Sequence, residues 1–143
     1  MNLITRYLLK LKGPGAAVAG IIIKDSKILL TKRSKMITEK EKWCLPGGKI
    51  NLGENSIEAI KREIKEEIGA NVKNLKFLFY HDEIIKKDNL HTIVLIFKIE
   101  IKGDIKPNWE VSDIEWFDKN KLDKLNFAFT HKDIINKFLK LPQ

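Results

Sequence analysis

Glycine, arginine and glutamate residues recur at fixed spacing in the middle of the chain, and this pattern constrains the fold and the chemistry more than any other feature. Gly48 precedes Glu54 by six positions, and after a seven-residue gap the segment from Arg62 to Gly69 reads Arg-Glu-Ile-Lys-Glu-Glu-Ile-Gly. At this chain's own residue frequencies, such a pattern matches by chance on the order of once in a million. The pattern therefore calls for a structural and chemical explanation.

The segment 56–69 is predicted to form a helix with its carboxylates on one face. Asn55 or Ser56 provides an N-cap, and Gly69 provides the C-terminal stop. At about 100° per residue, an apolar stripe separates from an acidic face. The apolar stripe comprises Ile57, Ile60, Ile64 and Ile68, and the acidic face comprises Glu63, Glu66 and Glu67.

The acidic face indicates a metal site. Three carboxylates one turn apart repel one another unless a cation compensates them, and hard oxygen ligands suit Mg²⁺ or Mn²⁺. The alternative is a solvated surface helix with ion pairs such as Arg62 with Glu66. The preceding loop 43–48, Trp-Cys-Leu-Pro-Gly-Gly, favours the metal, since two glycines let the backbone approach a metal or phosphate closely.

This loop and spacing are those of the Nudix box, and the chain resembles the Nudix hydrolase family, enzymes that cleave nucleoside diphosphates linked to another moiety. The one departure is Ala70, a packing position where the family usually carries a bulkier aliphatic residue. The resemblance implies an α/β fold, an α/β/α sandwich around a mixed β-sheet. We expect one domain over residues 1–143, with its core at about 14–141.

The resemblance also implies roles for individual residues. The implied metal ligands are Glu63, Glu66, Glu67 and the carbonyl oxygen of Gly47 or Gly48, and Glu66, Glu67 and Arg62 are the implied catalytic residues of the box. Arg62 would orient the carboxylates of its own turn. Glu54 would support the loop or bind metal through water.

A catalytic base is expected outside the box. In MutT-type members a glutamate precedes a tryptophan-led strand late in the chain. Glu110 precedes the predicted strand that contains Trp116, and Glu110 is therefore the candidate for the base or for an extra metal ligand. Glu83 and Glu115 are the rival candidates.

Several residues outside the box are candidates for substrate binding. Lys32 and Arg33 end a predicted strand where they would meet phosphates, although exposed strand ends are an equal alternative. Trp43 and Phe127 would stack on a base, although aromatic residues more often belong to a core. Further candidates are Tyr80, Trp109 and Phe129 for stacking, and Asn126, Thr130 and His131 for reading base edges.

Hydrophobic periodicity predicts strands and a second helix around the box. The predicted strands are 16–23, 28–33, 72–80, 91–101 and 114–118, with a turn at 24–27, a charged loop at 34–42 and an exposed loop at 81–90. A helix is predicted at 130–141, capped by Thr130 and Asp133. Leu3, Ile4, Tyr7, Leu8 and Leu11 fit a helical stripe, although the family often places a strand there.

Composition limits the remaining functional classes. The chain has 143 residues, of which 43% are hydrophobic and 32% charged, and no apolar run approaches the ~20 residues of a membrane span. One cysteine, Cys44, excludes an internal disulfide and fits a cytoplasmic location. The net charge of +8 comes from lysines spread along the chain, which favours attraction of a small polyphosphate over a nucleic-acid interface.

The absence of a motif narrows the range of possible substrates. No proline lies between Pro46 and Pro107, whereas many ADP-ribose hydrolases carry one shortly after the box. A MutT-like nucleoside triphosphate pyrophosphohydrolase, which releases the monophosphate and pyrophosphate, is therefore the leading interpretation. Hydrolysis of ADP-ribose or another nucleotide sugar is the alternative, and a non-catalytic nucleotide or nucleic-acid binding module is the alternative of another class. Both a monomer and a homodimer fit the sequence.

Overall fold

The structure is a computed structural model that describes residues 2–4 and 13–142. The described strands are β1 (Gly15–Lys24), β2 (Lys27–Arg33), β3 (Trp43–Cys44), β4 (Gly47–Lys49), β5 (Asn71–Ile85), β6 (Leu90–Lys102) and β7 (Val111–Asp118). The described α-helices are α1 (Ser56–Ile68) and α2 (His131–Leu139), and 3₁₀ turns lie at Lys86–Asp88 and Lys119–Lys124.

The seven strands form one mixed sheet. The main order is β3-β2-β1-β6-β5, with β4 paired to β1 and β7 paired to β2. Strands β1 and β6 are parallel, whereas the other pairs are antiparallel. β1 pairs with β4 at residues 17–19 and with β2 only at residues 23–24, so different strands lie beside the two parts of β1. This arrangement places β4 next to the middle of the sheet.

Apolar residues alternate between the two faces of the sheet, and each face is covered by one of the helices. On one face Ala19 and Ile21 of β1 pack with Ile134 and Phe138 of α2. On the other face, Val18 and Ile22 of β1 pack with residues Ala59, Ile60, Ile64 and Ile68 of α1. Alternation with period two along β1 gives each face its own core. The predicted α/β/α sandwich around a mixed sheet is confirmed.

Local signals in the sequence set the ends of several elements. The side-chain oxygen of Asn55 accepts a hydrogen bond from the N–H of Glu58 and caps α1, and Gly69 ends the helix with a left-handed φ of 75°. Asp25 and Ser26 both have positive φ, as a two-residue hairpin turn between β1 and β2 requires. Ala70 is fully buried between α1 and the sheet, as its predicted packing role implies.

Three local predictions are wrong. Ile57 is 45% exposed, because it lies in the first turn of α1 and belongs to neither core cluster. The predicted loop 81–90 is mostly strand, since the antiparallel ladder of β5 and β6 continues to the pair Ile85 and Leu90. The Thr130 side chain does not cap α2, because its hydroxyl donates to Glu83 instead.

The N-terminal segment is described only at residues 2–4, where Leu3 and Ile4 are helical and exposed. The choice between helix and strand for residues 5–12 lies outside the described residues. Within the described ranges, neither α1 nor α2 has the length and apolar character needed to cross a membrane.

Candidate active site

A cavity of about 720 Å³ lies where β1, the glycine loop and α1 meet the loop after β2 and the start of α2. Its charged and polar lining residues are Arg33, Thr38, Cys44, Lys49, Glu63, Glu67, Glu83, Thr92, Glu110 and His131. Apolar lining residues include Met36, Ile37, Leu45, Leu90, Val94 and Phe129, and Gly47 and Gly48 complete one wall. The cavity thus combines an acidic cluster, basic side chains and an aromatic ring.

The two box glycines bring β4 directly against the acidic face of α1. The N–H of Gly47 donates a 2.7 Å hydrogen bond to Oε1 of Glu67. A Cβ atom at Gly48 would lie 2.5 Å from Oε1 of Glu63, and one at Gly47 would lie 2.1 Å from the carbonyl oxygen of Val18. The close approach of β4 to α1 therefore requires glycine at both positions. This contact sets Glu63 and Glu67 side by side on the cavity wall.

Arg62 connects the loop before the helix to the acidic face. Its Nε and Nη2 atoms donate to the two carboxylate oxygens of Glu54 at 2.7 and 3.0 Å. Its Nη1 atom donates to Glu63 at 2.8 Å and to Glu66 at 3.2 Å, and Nη2 also donates to the carbonyl oxygen of Lys49. The hydrogen bond from Arg62 holds the pKa of Glu54 below its usual range. Arg62 thus contacts Glu54, Glu63 and Glu66, and its orienting role in catalysis stays a prediction.

Glu66 differs from the other two carboxylates of the acidic face. Its side chain is 55% exposed and contacts Arg62, and it is absent from the cavity lining that the described residues form. Within the described ranges, no three His, Cys, Asp or Glu side chains converge closely enough to hold a metal ion as they stand. These carboxylates instead accept hydrogen bonds from N–H donors: Glu63 and Glu66 from Arg62, and Glu67 from Gly47.

The electrostatics of the cavity nevertheless fit a divalent cation. Burial raises the pKa of Glu63 and raises the pKa of Glu67 to about 8. The N–H of Gly47 opposes the rise at Glu67, whereas the charges of Glu63 and Glu110 add to it. The carboxylates of Glu63, Glu67 and Glu110 therefore share one cavity with too little positive charge. A hard cation such as Mg²⁺ or Mn²⁺ would compensate their charge.

Glu110 lies at the same acidic end of the cavity. Its charge acts on both Glu63 and Glu67, and its side chain lines the cavity. Oδ1 of Asn108 accepts hydrogen bonds from the N–H groups of Glu110 and Val111, which fixes the backbone there. The rival candidate Glu115 is exposed and does not belong to the lining found in the described chain.

The structure separates the predicted substrate-binding residues into two groups. Arg33 lines the cavity, where its Nε donates to the carbonyl oxygen of Thr38 at 2.8 Å and its guanidinium lies 5.0 Å from the centre of the Phe129 ring. The lining formed by the described residues does not include Lys32, Trp43, Asn126 or Phe127. Trp43 and Phe127 instead pack against the core, and the Lys32 ammonium lies over the Trp43 ring. Lys32 is the partner of Trp43 in the ladder of β2 and β3, and the ladder of β2 and β7 shifts register between Lys32 and Arg33.

Two other lining residues carry weak sequence signals. Lys49 was not singled out, although its position directly after the box glycines is a usable signal. Thr92 lies within a β-branched strand and offers no local signal. Cys44 is buried, and burial raises the pKa of its thiol to about 11, so the side chain stays a protonated thiol.

Comparison with known proteins decides the family. A family model described as the NUDIX domain matches residues 13–138, which is most of the chain. This chain belongs to the Nudix hydrolase family. Its Nudix relatives include the ADP-ribose pyrophosphatase of Methanocaldococcus jannaschii, which is 40% identical over 128 residues, covering 89% of this chain and 74% of that protein. The 8-oxo-dGTP diphosphatase of Buchnera aphidicola is 32% identical over 124 residues, covering 87% of this chain and 92% of that protein.

Solved structures agree with the Nudix assignment. The crystal structure of a MutT NUDIX hydrolase from Burkholderia pseudomallei superimposes with a TM-score of 0.76 and 27% identity, covering 90% of this chain and 99% of that one. The predicted enzyme class is confirmed: the chain is a hydrolase that acts on phosphorus-containing anhydrides. Nudix hydrolases generally need a divalent metal, and the carboxylates of this cavity have the chemistry to hold one.

Proposed function

We propose that this Nudix hydrolase cleaves the pyrophosphate link of a nucleoside diphosphate-linked substrate in the cavity described above, with Mg²⁺ or Mn²⁺. The observation that carries the proposal is the pair of buried carboxylates, Glu63 and Glu67, held against the glycine loop of β4. Glu63 and Glu67 would hold the metal, with the Gly47 or Gly48 carbonyl and Glu66 as further ligands. Glu66 must then exchange its contact with Arg62 for the metal.

The remaining side chains divide the work of phosphoryl transfer to water. When bound, the divalent cation offsets negative charge on the phosphoryl oxygens. Arg62 keeps Glu63 in place by a 2.8 Å hydrogen bond and ties the helix to Glu54. Glu110, Arg33 and Lys49 all line the cavity. In this proposal Glu110 would accept a proton from the attacking water, and Arg33 and Lys49 would supply positive charge to the phosphates.

Two substrate classes are candidates for this activity. The missing proline after the box and the position of Glu110 favour a MutT-like nucleoside triphosphate pyrophosphohydrolase. The relative with 40% identity is an ADP-ribose pyrophosphatase, and this observation favours ADP-ribose as a second candidate. ATP is the triphosphate to compare with ADP-ribose, because both compounds then carry the same nucleoside, adenosine.

The test is hydrolysis of ATP and of ADP-ribose, side by side, with Mg²⁺, with Mn²⁺ and with EDTA, followed by chromatography of the products. A triphosphate substrate should yield the monophosphate and pyrophosphate, whereas ADP-ribose should yield AMP and ribose 5-phosphate. A large preference in kcat/KM identifies the substrate class. Full activity in EDTA, or no hydrolysis in a wider screen of nucleotides with either metal, would overturn the proposed function.

A further inference from the structure

Glu83 is a buried carboxylate at the end of the cavity formed by β5, β6 and the start of α2. Its Oε2 atom accepts two hydrogen bonds from Thr130, one from the backbone N–H at 3.1 Å and one from the hydroxyl at 2.6 Å. Nε2 of His81 lies 3.0 Å from the same hydroxyl oxygen and donates to it. His81 is the donor in this contact because the Thr130 hydroxyl gives its one proton to Glu83. The two hydrogen bonds from Thr130 fix the orientation of the Glu83 carboxylate.

The other oxygen of Glu83 faces the cavity. Oε1 has no hydrogen-bond partner among residues 2–4 and 13–142. In that same part of the chain, however, every fully buried side-chain nitrogen or oxygen has a partner. Oε1 is therefore accessible, and the cavity is the space that Glu83 lines. A carboxylate oxygen in this position accepts a hydrogen bond from a ligand.

His131 presents the complementary group. Its Nδ1 atom accepts a 2.9 Å hydrogen bond from the backbone N–H of Leu45, so Nδ1 carries no proton and Nε2 carries one. Nε2 also has no partner in the described chain, and His131 lines the cavity with Glu83. A fixed acceptor and a fixed donor thus face the same space.

The position of Glu83 in the sheet separates it from the acidic cluster at the other end of the cavity. Glu83 lies on β5, whereas Gly47 lies on β4, and β6 and β1 lie between them. Three inter-strand spacings amount to about 14 Å. This separation leaves room for a sugar and phosphates between the acidic cluster and Glu83. Leu90, Thr92 and Val94 of β6 lie opposite the part of β5 that contains Glu83, and all three line the cavity. Phe129, which directly precedes Thr130, lines it as well. Such mostly apolar walls suit a planar base.

We propose that Glu83 and His131 recognise a nucleobase that carries an exocyclic amino group next to a ring nitrogen, as adenine and cytosine do. The amino group donates to Oε1 of Glu83, and the ring nitrogen accepts from Nε2–H of His131. This inference rests on the proposed function, since it places the nucleoside of that substrate. Held in the same orientation, the oxo base of ITP or UTP presents its carbonyl oxygen to Glu83 and leaves this carboxylate unpaired, which is costly in a buried site. An oxo base satisfies both residues only in another orientation, with its ring N–H towards Glu83 and its carbonyl oxygen towards His131.

Glu83→Gln is a sharp test because Thr130 controls the orientation of the amide. Both donors of Thr130 require an acceptor, so the amide oxygen takes the place of Oε2 and the amide NH₂ faces the cavity. The substitution therefore changes the cavity-facing atom from an acceptor to a donor without a change in shape. We expect the wild-type protein to favour ATP over ITP and CTP over UTP by about 10- to 100-fold in kcat/KM. Glu83→Gln should abolish or reverse this preference.

The matched control is Asp82→Asn, which removes one negative charge from the neighbouring, exposed position of β5. It should leave the preference for the amino base unchanged. His131→Asn is the second arm, because the Asn oxygen still accepts from the N–H of Leu45 whereas the Nε2–H donor is lost. This variant should reduce the preference even if Glu83→Gln fails to fold. Calorimetric binding of AMP and IMP provides a readout that does not depend on turnover.

The outcomes separate this inference from the proposed function. Hydrolysis of nucleotides without discrimination between amino and oxo bases overturns the inference and leaves the proposed function in place. A preference that survives in both Glu83→Gln and His131→Asn also overturns it. If Glu83→Gln instead removes a preference for ribonucleotides over deoxyribonucleotides, the pair binds the sugar and the assignment to the base is wrong. Absence of any metal-dependent hydrolysis by the wild-type protein contradicts the proposed function itself.

Discussion

The backbone N–H of Gly47 and Oε1 of Glu67 are joined by a 2.7 Å hydrogen bond, so strand β4 and helix α1 together hold one carboxylate at the cavity wall. Burial raises the pKa of this carboxyl to about 8. A buried charge with one hydrogen bond is costly, and a cation at this point lowers the cost. If Glu67 is a metal ligand, as we propose, metal binding and folding stability should be coupled at this residue.

We expect Glu67→Gln to reduce kcat at saturating Mg²⁺ by at least about 100-fold, because the amide loses a charged ligand. Glu66→Gln should also reduce activity by a large factor. The melting temperature of Glu67→Gln in EDTA should equal or exceed that of the wild type, since the amide oxygen still accepts the hydrogen bond from Gly47 and no charge is buried. Glu58→Gln, exposed on the same helix, is the control. Retention of full activity in both active-site variants would contradict the assignment of these carboxylates as metal ligands.

Glu110→Gln should lower kcat much more than it raises KM, as expected for a group that acts mainly in the transition state. The backbone around Glu110 is held by Asn108, so an isosteric change should leave the loop in place. Steady-state kinetics of Glu110→Gln and of the exposed control Glu115→Gln provide the comparison. If Glu115→Gln is inactive and Glu110→Gln is normal, the base is Glu115.

Gly48→Ala should reduce turnover by at least about tenfold with little change in melting temperature. The added Cβ would lie 2.5 Å from Oε1 of Glu63, and this carboxylate must move away from its place on the cavity wall. The cost in stability is small because the atom displaced is the end of a flexible side chain. Gly15→Ala is the matched control, since its nearest neighbour lies at an ordinary 3.8 Å. Equal activity of the two variants would show that Glu63 does not need this position.

Folding stability should depend on His131 between pH 4 and 6.5. Burial lowers the pKa of His131 from 6.5 to about 4, with Arg33 and His81 adding to the shift and Glu83 opposing it. In this pH range the unfolded chain binds more protons at this residue than the folded one, so stability is lost as the pH falls from about 6.5 to 4. His131→Asn does not titrate and should lack this component. The free energy of unfolding in urea, wild type minus variant, should decrease by on the order of 3 kcal/mol from pH 7.5 to pH 4. A difference that is constant with pH would contradict the shift.

Much of the acidic end of the cavity could be predicted from the sequence, because its geometry is local. The helix α1 carries Glu63 and Glu67 one turn apart, its cap at Asn55 and its stop at Gly69 are short-range signals, and the glycines precede it by a few residues. Glu66 shows the limit of this reasoning. Helical spacing places it beside the other two carboxylates, whereas its side chain turns outwards to Arg62.

The other end of the cavity was decided only by the tertiary structure. Glu83 was predicted to lie in an exposed loop, yet the backbone ladder with β6 carries it into a strand and buries it. His131 contacts the N–H of Leu45, 86 positions away along the chain, and Thr130 contacts Glu83 at a separation of 47. Sequence periodicity reports which face of an element is apolar, but it does not report which distant element packs there. The positions of Glu63 and Glu67 on one helix could therefore be predicted from the sequence. Glu83 and His131 line one cavity only because the sheet and α2 bring them together.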